Sequence, residues 1–319
     1  MIALQPKKPK ASDKKKSRTD FRTTFVKNGN LDLFLKYNST ADERPDRETI
    51  LFVHGYPDEH STWDRQMDVL SREFNVGAFD LRGAGNSAKP IRQKDYNASK
   101  LFEDFAEVIR FLGGGTKVHL VAHDWGAILF WGFLGISEYS KLLKSYTAMG
   151  GPHPLISLRS MIRYFFSFRP DKILVSIRQS FQSWYILFFQ IPFLPELSIR
   201  ILTKPIWKYL MWAAEIPKDD PMRFMTREKI LENAVYPVNL YRELLRGNFP
   251  IPKRISVPTR VLVPIRDMAI RPECYDSLSE VCDSVGFFTA DSNHWIQKEM
   301  PEFVTDKIRD FVLTNSKRA

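Results

Sequence analysis

The chain has 319 residues, 44% hydrophobic and 26% charged, enough to bury one large core or a core with a second lobe. Its two cysteines, Cys274 and Cys282, lack CxxC spacing, which argues against a disulfide scaffold or a thiolate zinc site and favours a reducing, cytoplasmic setting. The net charge of +10 is concentrated in residues 1–20 (seven Lys/Arg against two Asp) and 152–210 (eight against Asp171 and Glu196), so the rest of the chain offers no nucleic-acid surface.

Residues 1–21 lack an apolar signal region and read as a disordered basic tail, either solubilising or weakly attracted to an anionic membrane. No apolar run approaches the roughly 18–20 residues that a spanning helix needs. RTTFVK and LDLFLKYN flank Asn28-Gly29-Asn30, which predicts a hairpin. TILFVHG (49–55) reads as a buried strand ending in a glycine turn, 61–73 as a helix and FNVGAFD (74–80) as another strand. In 99–112, Leu101, Phe105, Val108 and Leu112 share one helical face. KVHLVAHDWGAIL (117–129) passes from strand to helix at Asp124. SYTAMGG (145–151), RVLVPIRD (260–267) and VGFFTA (285–290) are further strands, and a last helix covers 301–314.

This alternation predicts an α/β fold with a mostly parallel central sheet and helices on both faces. It breaks in the region 152–251, which is rich in Arg and aromatic residues at helical spacing. That region is expected to be an inserted helical cap, lying over the carboxyl ends of the strands of a core made from 22–151 and 252–319.

Ala122-His123-Asp124-Trp125-Gly126 has small residues two before and two after an acid, at a strand-to-helix turn. That is the pattern of a nucleophile elbow, although Asp also serves as a plain helix cap. In this architecture the nucleophile is followed by an acid and then a histidine. Asp267 ends the strand VLVPIRD, and His294 follows the last strand in TADSNHW. No Asp or Glu lies between Glu138 and Asp171 to compete for the acid's place, though Asp267 also has Arg266 beside it as an ion-pair candidate. The turn in LFVHGYPD points the Tyr56 N–H toward the same place as the Trp125 N–H, and two such donors form an oxyanion hole. His54, His123 and His153 are expected to be structural, and His60 and His119 to face solvent or neighbours.

Together HGYPD, DLRGAGNS, AHDWGA, the strand-end Asp267 and NHW resemble the α/β-hydrolase superfamily, most closely its epoxide hydrolase branch, over residues 22–314. The aromatic Tyr56 stands where haloalkane dehalogenases usually carry Asn, and Trp125 where fluoroacetate dehalogenases carry Arg. The family's two oxygen-binding cap tyrosines resemble Tyr185 in SWYILFFQIP and Tyr241 in NLYRELLRGN, with Trp184 and Phe189 as substrate-binding neighbours. Pro264 and Asn293 depart from family glycines in the acid and histidine loops, and Ala122 replaces the commoner elbow glycine. The resemblance implies a small-molecule epoxide and water as reactants, an Asp124 alkyl ester as intermediate, and neither metal nor organic cofactor. Phe165, Phe166, Phe168, Phe181, Phe188, Phe189 and Phe193 are candidates to line a tunnel for lipid-derived epoxides, with Arg side chains at its rim. The alternatives are a haloalkane dehalogenase using the same Asp, or a non-catalytic binding protein of the same fold.

Overall fold

The computed structural model describes residues 20–246 and 249–316, so the tail of residues 1–19 lies outside the described residues. Eight strands, β1 (Arg22–Asn28), β2 (Leu31–Tyr37), β3 (Thr49–Val53), β4 (Asn75–Phe79), β5 (Val118–His123), β6 (Leu143–Met149), β7 (Thr259–Pro264) and β8 (Val285–Ala290), form one sheet. Its order is β1-β2-β4-β3-β5-β6-β7-β8. The pairs from β4 through β8 are parallel, and β2 is antiparallel to both of its neighbours. The register pairs Asn28 with Leu31, so Gly29 and Asn30 make the two-residue hairpin loop predicted from the sequence.

Helices cover both faces, as fully buried parallel strands require. Before the break in alternation they are α1 (Asp64–Leu70), α2 (Ala98–Gly113), α3 (Trp125–Leu134) and the single turn α4 (Ser137–Ser140). The segment predicted as one helix over 61–73 is a 3-10 turn at His60–Trp63 followed by α1. On one face Phe102 and Phe105 of α2 pack against Phe130 and Phe133 of α3. On the other face Met67 and Leu70 of α1 join Val304, Ile308 and Val312 of the last helix. Phe21 packs there too. Helix α3 is apolar all round because it lies between the sheet and α2.

Between β6 and β7 run α5 (Pro154–Phe165), α6 (Pro170–Gln182), α7 (Trp184–Phe188), α8 (Leu194–Ile201), α9 (Thr203–Ala213), α10 (Arg227–Ala234) and α11 (Val238–Arg246). No strand interrupts them among the described residues. The chain ends with α12 (Ile296–Glu299) and α13 (Pro301–Ser316). Arg242 on α11 clamps the insertion internally: it donates to the Phe189 and Ile191 carbonyls and pairs with Glu196 at 2.5 Å.

Candidate active site

Strands β3, β5, β7 and β8 deliver their loops to one end of the sheet, and the predicted site residues meet there. Asp124 follows the last residue of β5 and precedes the first of α3. Its backbone is at φ 50° and ψ −121°, a conformation that a non-glycine residue rarely adopts and that lifts its carboxylate off the strand end. The close approach depends on neighbouring glycines. A Cβ on Gly126 would sit 2.6 Å from the His54 carbonyl oxygen, and one on Gly55 would overlap the Asp124 carboxylate itself.

The Tyr56 N–H donates to Asp124 Oδ1 at 2.6 Å. His294 Nε2 stands 3.5 Å from Asp124 Oδ2, and its Nδ1 lies 2.8 Å from Asp267 Oδ2. The other oxygen of Asp267 accepts the Ala269 and Ile270 N–H groups at 2.7 and 3.0 Å, which fixes the acid's orientation. The sequence left open an Arg266–Asp267 pair. Arg266 instead turns outward to Glu215, Asp291 and Glu299.

Charges in this buried cluster shape one another. Burial opposes ionisation of Asp124, but the hydrogen bond and charge of His294 outweigh it and hold the carboxyl below its usual pKa. Burial likewise opposes a charged His294, yet Asp267 and Asp124 together push its pKa up to about 10. Both neighbouring acids thus favour the protonated form of His294. His123 behaves oppositely: burial and the neighbouring His294 push it down to about 3, leaving a neutral ring 2.9 Å from the His294 carbonyl oxygen.

Above these groups lies a cavity of about 520 Å³. Tyr56, Tyr185, Tyr241, Trp184 and Phe189 all line it, together with Asp124 and His294. Tyr185 enters from α7 and Tyr241 from α11, with ring centroids 5.8 Å apart. Tyr241 also packs edge-on to Trp125 at 4.7 Å and to Tyr56 at 5.3 Å. Burial and the charge of Asp124 raise the pKa of both Tyr185 and Tyr241, so both keep their protons. The Tyr56 hydroxyl is engaged elsewhere, donating to the Ala234 carbonyl at 3.0 Å.

Of the seven phenylalanines considered for the tunnel, Phe188 and Phe189 line this cavity. Phe165, Phe166, Phe168, Phe181 and Phe193 are exposed on the outside of the insertion. Aromatic spacing on a helix identifies an apolar face but not which side of the insertion that face takes. Among the described residues no Arg or Lys lines the cavity either.

Several supporting residues were not foreseen. Asn293, noted only as a departure from glycine, accepts from the N–H groups of His294 (2.8 Å) and Met268 (3.1 Å), and so ties the histidine loop to the acid loop. Gln190 of the FQIP segment donates to the Tyr241 carbonyl at 3.0 Å, linking the two tyrosine-bearing segments. Gln179 donates to the Ala269 carbonyl and accepts from the Arg271 N–H, joining α6 to the acid loop. Trp295 lines the cavity and donates to Asp58 at 3.0 Å. Buried polar side chains facing loop backbone are a signal that shows only once the loops are in place.

The remaining histidines hold backbone and neighbours. His54 Nε2 accepts from the Leu81 N–H at 2.9 Å, so its Nδ1 donates to the Gly55 carbonyl. His119 is buried against Ser145 and Glu48, and His153 contacts the Pro250 carbonyl. Among the described residues, Glu59, His60 and Asp80 gather as ligands for a cation would. Lys229 lies 2.5 Å from Glu59 and His60 is 2.8 Å from Asp80, so neighbouring side chains already meet these carboxylates.

The family model described as alpha/beta hydrolase fold matches residues 48–180. The sheet order, elbow and strand-end loops are those of the α/β-hydrolase fold, in agreement with that match. Several of the proteins the chain is similar to are epoxide hydrolases. Epoxide hydrolase 3 of Xenopus tropicalis is 28% identical over 290 residues, covering 86% of this chain and 74% of that protein. A crystal structure of an epoxide hydrolase from Bacillus megaterium, solved with its diol product, has a TM-score of 0.72 at 25% identity, covering 91% of this chain and 100% of that one. A Mycobacterium tuberculosis protein named probable oxidoreductase EphD is also 28% identical, over 84% of this chain, and the chain spans 46% of its length.

Proposed function

We propose that the protein hydrolyses apolar epoxides to vicinal diols through a covalent ester on Asp124, with residues 152–251 acting as the cap that holds the substrate. The observation that carries this reading is the meeting of Asp124, from the sheet, with Tyr185 and Tyr241, from the inserted helices, in one apolar cavity. Opening an epoxide needs a nucleophile at carbon and a proton donor at oxygen, and these groups supply both.

Asp124 Oδ1 is held by the Tyr56 N–H, so Oδ2 is the attacking atom. It bonds to a ring carbon, the carbon–oxygen bond breaks, and the oxygen takes a proton from the tyrosine pair. Oδ1 is then the carbonyl oxygen of the ester, already resting on an oxyanion-hole donor. The Trp125 N–H, first in α3 and without an intrahelical partner, is the second donor. His294 then takes a proton from water as the water adds to the ester carbonyl. Collapse releases the diol and restores the carboxylate. Asp267 orients the imidazole and stabilises its protonated form.

The same geometry supplies the timing. Before attack, the Asp124 charge helps keep His294 protonated. Esterification removes that charge and the His294 pKa falls, so its proton passes through solvent to the tyrosinate left by ring opening, and the neutral ring is then a base in the step that needs one. An aspartate also explains how a substrate without a carbonyl is hydrolysed, because the enzyme provides the carbonyl that water attacks. A serine there would be left as a stable ether. The aromatic lining suits lipid-derived and other apolar epoxides.

Incubating His294→Ala with styrene oxide and measuring intact mass tests this. An adduct is expected on Asp124, absent from Asp124→Ala. No adduct, with no diol formed by the natural protein from a panel of epoxides, would end the proposal, and halide release from bromoalkanes instead would assign a dehalogenase.

A further inference from the structure

The insertion surrounds the cavity mouth with an exposed apolar surface. Trp184 (62% exposed) and Tyr209 (63%) line the cavity and face solvent at once, as do Leu202 and Ile206, so these residues form its rim. The surface continues outward from the rim. Phe181 at the end of α6 is 75% exposed, and Leu187, three residues beyond Trp184 on α7, is 70% exposed. Across the mouth on α9, exposed Trp212 lies beside Tyr209 with ring centroids 5.9 Å apart. Exposed apolar side chains gathered on the helices around a cavity mouth mark a contact site.

The charge around the patch indicates what it contacts. Arg178 lies three residues before Phe181, and Lys204 and Lys208 alternate with Ile206 and Tyr209 along α9. None of the three cations is in an ion pair among the described residues; Lys204 donates to the Met225 carbonyl. Both acids of residues 152–210 are already matched, Asp171 by Arg169 and Glu196 by Arg242. The patch thus sets aromatic and aliphatic tips among cations that make no ion pair among the described residues, with Glu228 near Lys204 as the exposed acid on that side. That combination suits the headgroup layer of an anionic bilayer, where apolar tips enter the interface and cations meet lipid phosphates. A second copy of this chain fits poorly, because a symmetric contact would set these cations against themselves.

We propose that the cap face carrying Phe181, Trp184, Leu187 and Tyr209 docks on an anionic phospholipid bilayer with the cavity mouth against the lipid, so that apolar substrate passes from membrane to Asp124 without crossing bulk water. The delivery rests on the epoxide reading above; the docking does not.

The test is flotation of the full chain with phosphatidylcholine vesicles, with and without phosphatidylserine. Two double variants away from the cavity lining are compared, Phe181→Glu with Leu187→Glu and Arg178→Glu with Lys208→Glu. The natural protein is expected to float with the anionic vesicles, and each double variant to bind them on the order of tenfold more weakly. All three proteins should turn over styrene oxide in solution equally, while both variants lag on a long-chain epoxide carried in the vesicles. Undiminished binding by either double variant would assign any flotation to the basic tail and overturn the proposal. So would absence of flotation by the natural protein, or self-association that the Phe181 and Leu187 changes abolish while vesicle binding is absent. Equal rates of all three on the vesicle-borne epoxide would overturn the delivery. If none of them turns over any epoxide, the chemistry falls while flotation still decides the docking.

Discussion

Replacing Asp124 with Asn removes one charge and little else. The amide keeps an oxygen for the Tyr56 N–H, which now donates to Asp124 Oδ1 at 2.6 Å. The lost partner of His294 stands at 3.5 Å, and at an effective dielectric constant of about 20 that pair is worth about 5 kcal/mol as an upper figure. Both charges are spread over several atoms, so the His294 pKa should fall by roughly two to three units. It starts at about 10, which puts the variant near neutrality. The measurement is a proton NMR titration of the His294 ring, assigned by its loss in His294→Gln, in the natural protein and in Asp124→Asn. If the two proteins titrate within half a unit of each other, Asp124 does not hold the His294 proton, and the charge-triggered base in the second step is wrong. The same titration on Asp267→Asn should show a larger fall, because Asp267 is the strongest of the influences raising this pKa.

Tyr185→Phe and Tyr241→Phe should each slow ester formation by about 10²-fold, read by single-turnover mass spectrometry, with little effect on hydrolysis of ester once formed. Gly55→Ala drives a methyl into the Asp124 carboxylate and should abolish turnover while costing about 1–3 kcal/mol of stability by urea unfolding. The pH dependence of stability has a definite sign. The folded state keeps the His294 proton to about pH 10, whereas an unperturbed histidine releases it near 6.5, so His294 contributes stability in full below the lower value. That contribution is lost as pH rises through about 10, and Asp267→Asn should shift the loss to lower pH in urea midpoints measured across the range.

The sheet was readable because its central strands are buried on both faces and so appear as unbroken apolar runs, as in Thr49–Val53 and Val118–His123. Helix α2 was readable because its inner face repeats at the helical period. The elbow was readable because crowding there admits few side chains: Gly126 is demanded by a backbone oxygen 2.6 Å from where its Cβ would be. The insertion was readable as helical but not in orientation. Phe181 and Phe189 look alike in a list of aromatics, yet one faces solvent and the other lines the cavity.

The sequence by itself determined the order of the strands along the chain, the acid at position 124, and the residue types that follow it at later strand ends. Those are local matters: periodicity, small residues at a turn, and a chain order that the architecture imposes. Only the tertiary structure decided that His294 lies between Asp124 and Asp267 with a raised pKa, that Asn293 binds the two loops together, and that the aromatics divide between a cavity and an outer face. Each of these depends on groups brought together from distant parts of the chain, because charge, burial and hydrogen bonding act through space rather than along the sequence.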